Sequence, residues 1–284
     1  GFMSNVIAQA TASYQRIQVV LDVPEIKDEG GITQALRGKI SLRHVSKKYG
    51  EKSVLKEVSF TVNEGESLAV IGPTAAGKTQ LLYLLTGLTT ADEGTVEFDD
   101  RDIRQYNKEN FYRHVGFVFQ DSILFNLTIR ENIGFSREAT DEQLQKAIDT
   151  AELSGFIDSL PKKLDTIVSE RGTTLSGGQK QRIMLARALA INPKILLLDD
   201  FTARVDNQTE LKILENVRRN YPGITLISVT QKIAAPENFD QVLVLMEGEM
   251  LAKGTHRELM ESSPEYIQIY NSQQSTSNYE LQPQ

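Results

Sequence analysis

"SLAVIGPTAAGKTQLLYLL", residues 67 to 85, sets a short apolar run, a glycine-bounded loop and a second apolar run end to end. The first run suits a buried strand and the last has the leucine content of a helix. Between them "GPTAAGKT" (72–79) fits G-x-x-x-x-G-K-[ST]. A strand, loop and helix in this order aim backbone N–H groups and a helix N-terminus at an anion. Gly72, Pro73, Thr74, Ala75, Ala76 and Gly77 would then surround phosphates. Lys78 would contact the terminal phosphates and the Thr79 hydroxyl would bind Mg²⁺. A chance Gly/Ala turn can match so short a pattern, but correct flanks make chance a poor account. Ala75 and Ala76 stand where related loops usually carry a Gly; alanine resists positive φ, so a slightly stiffer loop is expected.

Outward from the loop, β-branched runs bounded by Gly and polar turns predict strands at 39–45, 58–62, 67–72, 95–98, 115–119, 194–199, 224–229 and 241–246. Helical stretches fall at 78–87, 140–153, 177–191 and 207–219. Continuous apolar strands separated by helices predict an α/β fold whose parallel sheet is covered on both faces. Residues of about 121–190 are mostly helical and long enough for a helical subdomain. Near the start, Met3, Ile7, Ala10, Tyr14, Ile17 and Leu21 share one helical face, and Pro24 ends that helix. Such a helix either packs on its own domain or continues into a segment outside this sequence. "KDEGG" (27–31) reads as a linker, so residues 1–36 are set apart from a domain at 37–271. The polar tail 272–284 is expected to be disordered.

Composition narrows the chemistry. With 284 residues, 40% hydrophobic and 24% charged, the chain has ample material for a core and the profile of a soluble protein. It has no cysteine, which excludes disulfides, thiol nucleophiles and thiolate metal sites. His44, His114 and His256 are scattered without metal-ligand spacing. A net charge of −7 argues against nonspecific nucleic-acid binding. No apolar run reaches membrane-span length and no cleavable signal is visible.

Two further motifs extend the reading. "ILLLDDFTARVD" (195–206) is an apolar strand ending in Asp199 and Asp200, which after a phosphate loop delivers a carboxylate toward the metal. "LSGGQKQR" (175–182) leaves backbone N–H groups open at a helix start through Ser176, Gly177 and Gly178. Two phosphate-type helix starts in one domain make sense if a nucleotide is clasped between two chains. In this order the motifs resemble those of ABC transporter nucleotide-binding domains, over roughly residues 37–271. The resemblance implies a P-loop NTPase of ABC type, with a mainly parallel core sheet, an antiparallel β-subdomain and a helical subdomain. It also implies that ATP and Mg²⁺ bind, that Tyr49 stacks on adenine and that Gln120 senses Mg²⁺ and the γ-phosphate. Thr79, Gln120 and Asp199 become the implied metal-side residues, and Asp206 matches the D-loop aspartate. Ser176, Gly177, Gly178 and Gln179 would bind the γ-phosphate of ATP held by a second such domain.

Other stretches look like exporters. "VSERG" (168–172), "DSILFNLTIRENI" (121–133) and "GTHRELMESSPEYIQIYNSQ" (254–273) resemble exporter segments, the first two being contacts to a membrane domain. The first helix is similar to the cytoplasmic end of a last transmembrane helix. A transmembrane partner domain and a place on the cytoplasmic face of the cell membrane are therefore implied.

Three positions depart from the family pattern. Asp200 stands where Glu usually polarises the attacking water, and a carboxylate one methylene shorter retreats by about 1.5 Å. Displacements of ~1 Å in a catalytic contact cost on the order of 100-fold. Gln231 stands at the switch histidine; glutamine hydrogen-bonds a phosphate oxygen but carries no charge. "ARVD" (203–206) replaces Ser-Ala-Leu-Asp. This grouping resembles the degenerate half of a heterodimeric bacterial multidrug-type exporter, in which this chain's own site turns over slowly. The alternative is a homodimeric exporter ATPase in which Asp200 is a working catalytic carboxylate. A soluble ABC protein acting on ribosomes or DNA fits less well, since the chain has neither tandem domains nor long insertions with basic arms.

Overall fold

The computed structural model describes residues 1–22, 30–121, 123–135, 139–168, 175–231 and 236–280. In chain order the elements are α1 (Phe2–Leu21), β1 (Ile40–Tyr49), β2 (Lys52–Val62), β3 (Ser67–Ile71), α2 (Lys78–Leu85), β4 (Glu93–Phe98) and β5 (Arg101–Asp102). Next come α3 (Lys108–Tyr112), β6 (Val115–Val118), α4 (Ile129–Ile133), α5 (Asp141–Thr150), α6 (Ser154–Asp158), α7 (Gly177–Ala190) and β7 (Ile195–Asp199). The last are α8 (Asn207–Asn220), β8 (Thr225–Thr230), β9 (Gln241–Met246), β10 (Glu249–Gly254), α9 (His256–Ser262) and α10 (Pro264–Glu280).

Strands β3, β7 and β8 are buried along their whole length, and their side chains divide by the two-residue period of a strand. Leu68, Val70, Ile195, Leu197, Ile227 and Val229 enter one core, with the leucines of α2 and the apolar residues of β1, β2 and β4. Ala69, Ile71, Leu196, Leu198 and Leu226 enter the other, with residues of α5, α7 and α8. A sheet covered on both faces needs such continuous apolar strands. Its order is β10-β9-β3-β8-β7-β6, parallel except for β10 against β9, and β2-β1-β4-β5 form a separate antiparallel sheet. A mainly parallel sheet covered by helices, with a separate antiparallel sheet beside it, is the α/β architecture expected from the sequence.

Each strand and helix expected from periodicity is found, most of them shifted by a few residues at an end. The expected strand at 58–62 begins earlier, at Lys52, because Tyr49 pairs with Lys52 in a hairpin whose residues are polar. β5, β10 and the short helices were beyond periodicity; α4 and α9 rest on capping boxes, Thr128 with Glu131 and Thr255 with Glu258. The tail differs from expectation: α10 runs on through Glu280, although its sequence there is polar. None of the residues of α1 is buried, so of its two readings the one that packs it on its own domain is not what the structure shows. Its apolar face, with Ile7, Tyr14 and Ile17, is exposed. Among the described residues no helix is long and apolar enough to cross a membrane.

One half-buried cation, Arg187, ties the 123–135 stretch to α7. The Arg187 guanidinium lies 5.4 and 5.5 Å from the centroids of Phe125 and Phe135, whose rings stack at 4.8 Å. It donates to the Asn132 carbonyl at 2.6 Å and the Ile123 carbonyl at 3.1 Å. Asn132 is fully buried, and its amide donates to the carbonyls of Phe125, Leu127 and Thr128. Burial lowers the Arg187 pKa to about 10, still far above neutrality.

Candidate nucleotide site

The site lies at the carboxyl ends of β3, β6, β7 and β8, where a parallel sheet of this kind ordinarily receives its ligand. A cavity of about 500 Å³ is lined there by Thr74, Ala75, Ala76, Gly77, Lys78, Thr79, Gln120, Asp199, Asp200 and Gln231. A separate cavity of about 300 Å³, lined by Leu84, Thr86, Val96, Tyr106 and Phe111, contains no predicted site residue.

The loop after β3 is shaped by what surrounds it. A Cβ on Gly72 would lie 1.9 Å from the Leu245 carbonyl oxygen, and one on Gly77 2.5 Å from that of Val54. Gly77 also has φ +102. Ala75 sits at φ +64, so the residue that resists this region adopts it, with the strain that a side chain brings there. The neighbouring Ala76 carbonyl accepts from Gly248 N at 3.1 Å, so the β9–β10 turn supports the loop. Gly77 caps α2 without a side-chain bond to the helix start. Lys78 is buried and donates to the carbonyls of Gly72 and Pro73, both at 2.8 Å. Burial lowers its pKa, opposed by the charges of Asp200 and Asp199.

Asp199, ending β7, accepts from Thr79 Oγ1 at 3.3 Å. Burial is the main cause that pushes its carboxyl up to about 6, with Asp200 adding to the rise and Thr79 and Lys78 opposing it. Asp200 follows at φ +45, its N–H bonded to the Val229 carbonyl at 2.8 Å, its carboxylate 3.5 Å from Gln120 Nε2. Gln231, exposed after β8, accepts from Thr74 Oγ1 at 3.2 Å and so faces its own phosphate loop.

A carboxylate and a hydroxyl side by side, a lysine ammonium and a glycine-formed loop at a helix start fit a Mg²⁺–polyphosphate. Thr79 and Asp199, with Gln120 beyond them, are the residues that would hold the ion.

The remaining predicted residues lie apart from this cavity. Ser176 caps α7 in a box with Gln179: its Oγ accepts from Gln179 N at 3.2 Å, and its N–H donates to Gln179 Oε1 at 2.9 Å. Cβ atoms on Gly177 and Gly178 would meet Arg204, at 3.1 Å from its Cδ and 2.7 Å from its carbonyl oxygen. Asp206 caps α8 by accepting from Thr209 N at 2.9 Å, which holds its pKa down. Tyr49 ends β1, and its hydroxyl donates to Gln80 Oε1 at 2.8 Å. Of "VSERG", only Val168 lies within the described residues. Lys52, Lys56, Gln80 and Glu247 also line the cavity and lie outside the sequence motifs. Only Gln80 carried a local signal, by its place next to Thr79.

Fold and site together define a P-loop nucleotide-binding domain of ABC type. The family described as ABC transporter matches residues 55–203, from β2 to the turn after β7. The chain belongs to the ABC transporter family and is an ATP-binding domain of it. It is 41% identical over 276 residues to the uncharacterized ABC transporter ATP-binding protein YfiB of Bacillus subtilis, covering 96% of this chain and 48% of that protein. It is 34% identical to an ATP-dependent lipid A-core flippase of Desulfotalea psychrophila, covering 95% of this chain and 48% of the flippase. A solved bacterial Atm1-family ABC exporter with ATP bound superposes with a TM-score of 0.86 at 31% identity, over 94% of this chain and 48% of the exporter chain. The chain spans about half the length of the curated relatives it matches.

Proposed function

We propose that the chain is the ATP-driven half of an ABC exporter, closing with a second nucleotide-binding domain around ATP at the cytoplasmic face of a membrane and moving an attached transmembrane domain. The names of the exporter and flippase relatives support that reading. In it, Lys78 and the loop N–H groups hold the phosphates, Thr79, Asp199 and Gln120 hold Mg²⁺, and Tyr49 carries the base. Mg²⁺, when bound, offsets charge on the terminal phosphates. Ser176, Gly177, Gly178 and Gln179 lie outside this chain's own cavity, as groups that complete a partner's site should.

The finer proposal is that this chain's own site holds ATP and turns it over slowly, with a different partner chain supplying the faster site. The observation that carries it is the pair Asp200 and Gln231. The shorter carboxylate is held at φ +45 with a 3.5 Å contact to Gln120, and an uncharged amide accepts from Thr74 where the family has histidine. The second reading, a homodimeric ATPase, is favoured by the burial of Asp200 inside the cavity.

The test is steady-state Mg-ATP turnover of the chain at high protein concentration, beside the Asp200→Glu/Gln231→His double variant. A slow wild type and a double variant at least about tenfold faster support the slow-site reading. A wild type already at roughly 1 s⁻¹ or above, with little gain in the variant, hands the lead to the homodimer.

A further inference from the structure

Tyr49 stands at the tip of the β1–β2 hairpin with half of its surface exposed, yet its position is determined from a distant part of the chain. Its hydroxyl donates to Gln80 Oε1 at 2.8 Å, across 31 residues of sequence. Gln80 lies in the first turn of α2, directly after Thr79, and lines the nucleotide cavity. Lys47 Nζ sits 5.4 Å from the Tyr49 ring centroid and is itself held by Asp92 at 3.0 Å. This side-chain bond joins the antiparallel sheet to the helix that starts at the phosphate loop.

We infer that Gln80 is a positioning residue for the nucleobase: it holds the Tyr49 ring as a stacking platform at a set separation from the phosphate loop. The inference rests on the proposed role of Tyr49 as the base platform. A ring on an exposed hairpin gives up side-chain and hairpin freedom when a base stacks on it, whereas a ring already tethered has less to give up. Because the hydroxyl is engaged by Gln80, the ring presents its face to the base. Stacking on a face is tolerant of base identity. The tether therefore strengthens binding of purine nucleotides generally and does nothing for a ligand without a base.

The experiment is calorimetric binding of ATP, GTP and inorganic tripolyphosphate, each with Mg²⁺, to the wild type, Gln80→Leu, Tyr49→Phe and the double variant. Tyr49→Phe keeps the ring and removes only the hydroxyl. Each single change should raise the ATP Kd about 3- to 10-fold, the range of one net hydrogen bond. The double variant should be no weaker than either single one, since both break the same bond. GTP should shift by the same factor, and tripolyphosphate should not shift. Multiplying effects in the double variant, a change within twofold, or a parallel loss of tripolyphosphate affinity through damage to α2 would each overturn the role of Gln80. A wild type that binds ATP no tighter than tripolyphosphate overturns the base-platform reading of Tyr49 itself.

Discussion

Two sets of side chains in the nucleotide cavity are held differently. At the phosphate-loop end Lys78 and Asp199 are buried, and each is held by a neighbour: two carbonyls for the ammonium, the Thr79 hydroxyl for the carboxylate. Beside them Asp200, also buried, reaches Gln120 only at 3.5 Å, and the exposed Gln231 has a 3.2 Å bond to Thr74 of the same loop. Binding needs charges fixed before the ligand arrives; hydrolysis needs groups aimed at a water and a departing phosphate. The first requirement is met by an interlocked set. In the proposed reading the second would fall to Asp200 and Gln231, one shorter and one less charged than the residues the family resemblance implies at those positions.

Removing the interlocked charge should show the largest difference. Lys78→Met is expected to raise the ATP Kd on the order of 100-fold, the loss of charge-assisted bonds to phosphate. Gln231→Ala should change it by no more than about 10-fold, the upper range of one neutral hydrogen bond. Titration calorimetry on both variants decides it, and equal losses would erase the division between the two sets.

Acidity gives the next effect. Because Asp199 titrates near about 6, its ionised fraction falls about tenfold between pH 7 and 5. The gain in ATP affinity on adding Mg²⁺ should fall by a similar factor over that range, while binding without the metal should not follow it. The sign for stability is opposite. The folded pKa lies above the ordinary 3.8, so the fold binds the proton more tightly than the unfolded chain. The ligand-free domain accordingly loses stability from this group as pH rises from about 4 to 6, and Asp199→Asn should flatten that slope in thermal melts.

The smallest effect is expected at the alanine with φ +64. Ala75→Gly should relieve its backbone strain, roughly 1–2 kcal/mol, against a partly compensating gain in unfolded-chain entropy. A rise in Tm of about 1–3 °C would follow for a domain of this size. An unchanged or lower Tm would mean that the Gly248 bond to Ala76 already carries the loop without strain.

These contrasts also mark what could be read from sequence. The phosphate loop was legible because its chemistry lies in consecutive residues, and the parallel sheet because each buried strand is a continuous apolar run. The sequence marks Ala75 as a residue that resists positive φ, but it could not say that the loop would hold the residue there all the same. Gln80 with Tyr49, Arg187 with Asn132 and the Gly248 support of Ala76 were not legible, since each bond joins residues brought near only by the finished fold. Ser176, Gln179 and Asp206 show another limit. Their motifs mark them for ligand contact, and in this chain they serve as helix caps.

The contact between Arg204 and the two glycines at the head of α7 bears on how variants there should be interpreted. The short turn Phe201–Arg204 starts directly after Asp200 and ends against Gly177 and Gly178. Any side chain added at Gly178 therefore collides with that turn's backbone inside the same molecule, before a second domain is present. A Gly178 variant would disturb this chain's own Asp200 as well as whatever it offers across an interface, so lost activity could not be assigned to either site. A change at Ser176 removes a cap without that collision, and is the cleaner way to ask what the head of this helix does for a partner.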